Sequence, residues 1–477
     1  MLSSVLPGSV ALEPTPAARL WATIESPYAA EQLRNPRAMT QAPTPASTER
    51  IWHRLRRNAG VILGGRAIFG LVNLAAAAVA VRAVGIEGFG LVALLQAYIR
   101  VIAGFIRFDS WAAVTRYGAV LMEFDRPSDL RRLMGFTLRL DIIAFAIAIV
   151  IAILAAPLAA KWLHWPDEVT ALVPWYAVTI LFITGATPTG FLRLVDRFRV
   201  LAEQHALNAV IRLLGAALVL SFGGGVVALL GVWAAAGIVS GCYMFAVAWQ
   251  EARQRDLMPR MRGQWSVLSD GFPRIWRFVA LTNGTAIVET VTSHATVLIV
   301  GGMLGPTGAS LFALVRQITE SMAKLRSLLG PIVFPEIAGL EARGQRHRVR
   351  RLVRRTLLVS VLIVGLIVGV LVFAAEPLLV LLFGPESASA APLLLGAGAA
   401  ASLAASGFAL APAMLCVGKE VAVFRTALIA TLLFLPVLLL LLNVAGLTGA
   451  GIALLLWQGT IFFSRILILR RALRRPA

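Results

Sequence analysis

Thr282, Thr285, Glu289, Thr292 and Thr296 follow one another at steps of three and four within a single apolar run. That spacing puts them on one face of a helix. His294 falls on an adjacent part of the same helix and Asn283 near one end. A continuous polar stripe on a helix in hydrocarbon must face water, substrate or another polar helix. The next apolar run carries Arg316, Glu320, Lys324 and Ser327, also at helical spacing. An earlier run carries Gln96, Arg100 and Arg107, and the first carries Arg66.

These residue types suit recognition of an anion. Arginine presents a planar fork of donors that matches phosphate oxygens. A charge at the bilayer centre costs at least about 2.5 to 3.5 kcal/mol, so several of them in separate runs argue for a shared cavity. The candidate substrate-binding residues are Arg66, Arg100, Arg316, Glu289, Asn283, Thr285, Thr292 and Glu320, with Glu289 and His294 as candidates for ion coupling. A local alternative stands beside them. Arg316 and Glu320 can pair within one helix, the threonines can bond their own backbone, and His294 can be a packing residue. The chain has no Walker-type phosphate loop, HExxH, CxxC or GxSxG pattern. It is therefore expected to be no enzyme, to hold no metal or cofactor, and to draw its energy from an ion gradient, the membrane potential or a substrate gradient.

The elements that would position such residues are membrane helices. The sequence is 58% hydrophobic and only 14% charged, against about 25% charged in soluble domains. Apolar runs of 18 or more residues recur, long enough to cross the hydrocarbon core as helices, and no alternating ten-residue segments of barrel type stand out. Spans are expected at 60–81, 89–108, 133–156, 172–192, 201–222 and 226–249, then at 278–301, 309–333, 352–374, 392–417, 422–443 and 447–469. The fold class expected is all-α integral membrane, with about twelve transmembrane helices.

The net charge of +20 comes from arginine clusters between these runs, the pattern of membrane topology and not of a nucleic-acid footprint. About thirty basic residues fall in one set of alternate connections and about two in the other, which places both termini in the cytoplasm. Cys242 and Cys416 lie inside apolar runs and read as packing residues.

Four parts follow. Residues 1–50, rich in Pro, Ala, Thr and Ser, read as a disordered cytoplasmic tail. Met39, just ahead of Arg50, Arg54, Arg56 and Arg57, is an alternative start of translation. Residues 51–250 form an N-terminal lobe, 251–277 a basic interfacial linker with Trp265, and 278–477 a C-terminal lobe. An internal repeat supports the division. Gly85, Gly88, Leu91, Ala93 and Leu94 recur 220 positions on as Gly305, Gly308, Leu311, Ala313 and Leu314. Ala155, Pro157 and Leu158 recur at the same offset as Ala375, Pro377 and Leu378. Two parallel pseudo-symmetric six-helix lobes are the simplest reading, with Gln96 and Arg100 aligned on Arg316 and Glu320.

Four stretches carry a resemblance: VRAVGIEGFGL from Val81, PTGFLRLVDRFRV from Pro188, GPTGASLFALVRQ from Gly305 and PIVFPE from Pro331. In order and spacing the chain resembles the polysaccharide flippase branch of the multidrug/oligosaccharidyl-lipid/polysaccharide exporter superfamily. The resemblance implies a two-lobed bundle of twelve helices in a bacterial inner membrane. By alternating access it would move a polyprenyl-diphosphate-linked oligosaccharide to the outer leaflet for O-antigen, capsule or exopolysaccharide assembly. It also implies a cavity lined by the first, second, seventh and eighth helices, where Arg66, Arg100, Glu289 and Arg316 fall. Expected partners are the lipid-linked oligosaccharide, membrane lipids, and a glycan polymerase with glycosyltransferases, but no nucleic acid. The alternatives are an ion-coupled multidrug extruder, a lipid II flippase of the same superfamily or, outside transport, a membrane component of a glycan-synthesis complex.

Overall fold

The computed structural model describes residues 45–108, 110–183, 186–259, 283–284, 287–288, 290–342, 346–417 and 419–474. Among these every regular element is helical. In chain order they are α1 (Pro45–Ile106), α2 (Ser110–Glu123), α3 (Pro127–Leu163), α4 (Asp167–Ala177), α5 (Ile180–Ile183), α6 (Ala186–Leu194), α7 (Phe198–Ser221) and α8 (Val226–Gln254). A π-helical turn, Val291–Ala295, then leads into α9 (Thr296–Ala342), followed by α10 (Arg346–Phe383), α11 (Ala391–Ser406), α12 (Leu410–Cys416) and α13 (Glu420–Arg474).

Among the described residues eight stretches are long and apolar enough to cross a membrane, and the bent pair Asp167–Ala177 with Ile180–Leu194 makes a ninth. Three of the nine are double. α1, α9 and α13 are broken at Gly85, Gly305 and Gly446, each at positive φ. Only glycine adopts such a backbone without a Cβ penalty, so each break lets one continuous apolar stretch supply two spans. Nine with three doubled agree with the twelve-helix expectation.

The 220-residue register is visible in the backbone. Gly85 has φ 75 and ψ 171, and Gly305 has φ 74 and ψ −176. Pro157 lies inside α3 and Pro377 inside α10, helices of 37 and 38 residues. The left-handed residue that ends α3, His164, has its counterpart in Gly384 after α10. The most extensive packing joins α1 to α9, one from each half. Gly90 permits it, since a Cβ there would overlap the Pro306 carbonyl. Around this contact Leu94, Leu95 and Phe312 are buried in one core with residues of α3, α7, α10, α11 and α13.

Several elements depart from the expected spans. The stretch after the second span holds the helix α2, and the fourth span is three short helices. The tenth is split between α11 and α12 by a 3-10 turn, Gly407–Ala409. A buried carboxylate organises the first two departures. Asp141 of α3, 2% exposed, accepts hydrogen bonds from Ser110 Oγ at 2.6 Å, Thr187 N at 2.9 Å and Thr187 Oγ1 at 2.6 Å. It thereby ties the first residue of α2 and the start of α6 to α3. A buried charge needs such partners, and these three donors supply them.

Candidate cation-lined cavity

A cavity of about 380 Å³ opens between the halves, lined from α1, α4, α5, α7, α8, the π-helical turn and α9. Among the described residues its charged side chains are Arg100 of α1, Arg212 of α7, and Arg316 and Glu320 of α9. Gln96, Gln204, Asn208 and Gln317 add neutral donors and acceptors.

Each arginine is held differently. Arg316 Nε lies 2.7 Å from Glu320 Oε1, and Arg316 Nη2 donates to His294 Nδ1 at 3.4 Å. Its Nη1 is buried without a partner. The bond to Nδ1 needs a lone pair there, so His294 offers its other ring nitrogen as the N–H. The Arg212 guanidinium stands 5.4 Å from the centre of the Trp233 ring, with Nε buried and unpartnered. Arg100 makes no hydrogen bond or ion pair with another described residue, and it too lines the cavity. Buried guanidinium donors without acceptors are costly. An anion brought into the cavity would relieve that cost at Arg212 and Arg316 and give Arg100 an acceptor.

Of the residues singled out in the sequence, Arg100, Arg316, Glu320 and His294 come together at this cavity. Arg316 and Glu320 form the local pair that the i to i+4 spacing allows, and both still line the space. Thr292 Oγ1 bonds the Val288 carbonyl at 3.0 Å, and Thr296 Oγ1 bonds the Thr292 carbonyl at 3.1 Å. Neither threonine is among the lining residues, and nor is Asn283. Thr285, Glu289 and the side chain of Arg66 lie outside the described residues.

The sequence reading missed α7. Gln204, Asn208 and Arg212 are spaced by four and share one face of that helix. Asn208 Nδ2 also donates to Ser240 Oγ of α8 at 3.1 Å. The argument applied to the seventh span, polar residues at helical steps inside an apolar run, would have found them.

A family model described as polysaccharide biosynthesis protein matches residues 55–319. The chain is 27% identical over 338 residues to an inner membrane protein, YghQ, of Escherichia coli strain K12, an alignment covering 71% of this chain and 95% of that one. Among solved structures, an inward-facing multidrug resistance MATE family transporter of the MOP superfamily superposes with a TM-score of 0.65 at 14% identity, covering 86% of this chain and all of the other (100%). The lipid II flippase MurJ in an inward closed conformation superposes with a TM-score of 0.64 at 12% identity, covering 86% and 87% of the two chains. These likenesses establish the fold: a pseudo-symmetric twelve-helix membrane bundle.

Proposed function

The chain belongs to the polysaccharide biosynthesis protein family, and on that premise we propose that it carries a polyprenyl-diphosphate-linked oligosaccharide from the cytoplasmic to the outer leaflet of a bacterial inner membrane. The observation that carries the reading is the cavity between the halves, with three arginines and one glutamate among its described lining residues, two of the arginines holding a buried guanidinium nitrogen without a partner. The diphosphate is the part of such a substrate that hydrocarbon excludes most strongly, and arginine forks compensate it. Glu320 restrains Arg316 until the substrate oxygens arrive, and the amides of α1 and α7 face the sugar hydroxyls. The polyprenyl tail stays in lipid. No bond is made or broken, so the protein acts as a carrier and not as an enzyme.

The halves 51–250 and 278–477 are the two rocking bodies of this proposal, joined by the basic linker 251–277, with both termini cytoplasmic. Each exposes the cavity to one leaflet in turn. The cavity arginines favour this reading over the extruder, because an organic cation would meet three of them.

Depletion of the protein is expected to accumulate lipid-linked oligosaccharide in the cytoplasmic leaflet. Wild type should relieve the accumulation, and Arg100→Ala, expressed at an equal level, should not. Cells that accumulate nothing and instead become sensitive to cationic drugs would turn the assignment to an extruder.

A further inference from the structure

On α10, Arg351, Arg355, Leu358, Leu362, Leu366 and Val370 follow at steps of three and four, so they lie along one face of the helix. The apolar part of that face is open: Leu358 is 56% exposed, Leu362 74%, Leu366 69% and Val370 56%. On a membrane helix such a stripe lies against acyl chains. Arg354 and Arg355 stand about one turn, roughly 5 Å, ahead of Leu358. The lipid-facing stripe therefore runs into arginines at the depth where tails give way to headgroup phosphates.

Among the described residues none compensates these arginines. Arg348, Arg350, Arg351, Arg354 and Arg355 are exposed, and none is ion-paired or hydrogen-bonded to another described residue. From Arg346 the first acidic residue along the chain is Glu376. The cations crowd the first turns of a helix, where the macrodipole disfavours positive charge.

The pseudo-symmetric partner helix provides an internal comparison. At the 220-residue offset Arg351 corresponds to Arg131 of α3, which pairs with Asp256 at 3.3 Å, while its neighbour Arg132 pairs with Asp129 at 3.8 Å. At the position of Asp129, α10 carries Val349, which is fully buried against the ends of α12 and α13. On α3 Arg131 and Arg132 are paired with carboxylates, whereas α10 carries a packing residue at the position of Asp129 and its arginines pair with no described residue. Positive-inside topology accounts for basic residues on this side of the membrane in both halves, but not for this difference between them.

We propose that the basic end of α10 binds the headgroup of an anionic phospholipid of the cytoplasmic leaflet, whose acyl chains lie along Leu358, Leu362 and Leu366. The occupant is argued from charge complementarity at headgroup depth and from the apolar stripe that continues below it. It does not depend on which substrate the cavity carries.

The test uses the full-length protein in neutral detergent, titrated with phosphatidylglycerol or phosphatidylcholine and read by native mass spectrometry. Wild type should retain phosphatidylglycerol about tenfold or more tightly than phosphatidylcholine, each arginine near the surface contributing a several-fold share. The triple variant Arg351→Gln, Arg354→Gln, Arg355→Gln should lose that preference while eluting as a single species, and Arg131→Gln in the other half should keep it. If the triple variant aggregates, Arg354→Gln and Arg355→Gln taken singly should each lower the preference severalfold. Equal retention of the two lipids by wild type, or an unchanged preference in the arginine variants, would overturn the proposal. So would a preference for an acidic peptide over phosphatidylglycerol.

Discussion

Arg100 and Arg212 are the two arginines of the cavity that no carboxylate restrains among the described residues, in contrast to Arg316, which Glu320 holds at 2.7 Å. The difference predicts different responses to substitution. Arg212→Gln should cut glycan export about tenfold, the equivalent of about 1.4 kcal/mol, while protein level stays unchanged. Arg212→Lys should recover only part of it, because a point charge replaces a fork stacked on Trp233. Export equal to wild type in Arg212→Gln, measured as surface glycan per cell, would remove Arg212 from the site. At this scale the sequence was partly legible. Arg100, Arg316, Glu320 and His294 could be picked out because charges in apolar runs are expensive, and they do meet at one cavity. Arg212 was passed over because a single charge among apolar residues is noticed less readily than a stripe, although Gln204 and Asn208 complete one. The threonines of the seventh span show the converse, since a hydroxyl satisfied by its own helix gives the same spacing as one facing a ligand.

Helices in this protein are defined as much by where they break as by where they start. Gly85 and Gly305 hold the same left-handed conformation at equivalent places. Gly85→Ala and Gly305→Ala should therefore each cost about 1 to 3 kcal/mol of stability, and by similar amounts. A thermal-melt series in detergent checks both, and a loss confined to one of them would contradict the symmetry argument. The repeat that points to these glycines was readable from five matched residues, because a turn needs particular residue types at fixed positions. The helix α2 and the broken fourth span were not readable in that way. They are set by Asp141, whose partners Ser110 and Thr187 lie 31 and 46 residues away, and no local pattern announces a contact at that separation. Asp141→Ala strands two hydroxyls and a backbone N–H, and should cost about 2 to 3 kcal/mol. The expected readout is a Tm lowered by several degrees, and an unchanged Tm would show that the tie between α2, α3 and α6 is dispensable.

At the scale of the whole molecule, composition alone excluded a soluble globule, and the count of twelve spans survives once the breaks at Gly85, Gly305 and Gly446 are counted as turns between spans. The cavity between the halves could be expected from the repeat, but its extension onto α7 and α8 could not, because the rotation of a helix about its own axis is decided by packing with its neighbours. The same geometry makes the central claim testable with purified components. Reconstituted into vesicles loaded with polyprenyl-diphosphate-linked oligosaccharide in one leaflet, the wild-type protein should transfer the lipid to the other leaflet. The double variant Arg100→Gln, Arg212→Gln should do so at least about tenfold more slowly. Transfer at the wild-type rate by the double variant, or no transfer by the wild type under an imposed ion gradient and membrane potential, would contradict a carrier that holds its substrate by the diphosphate.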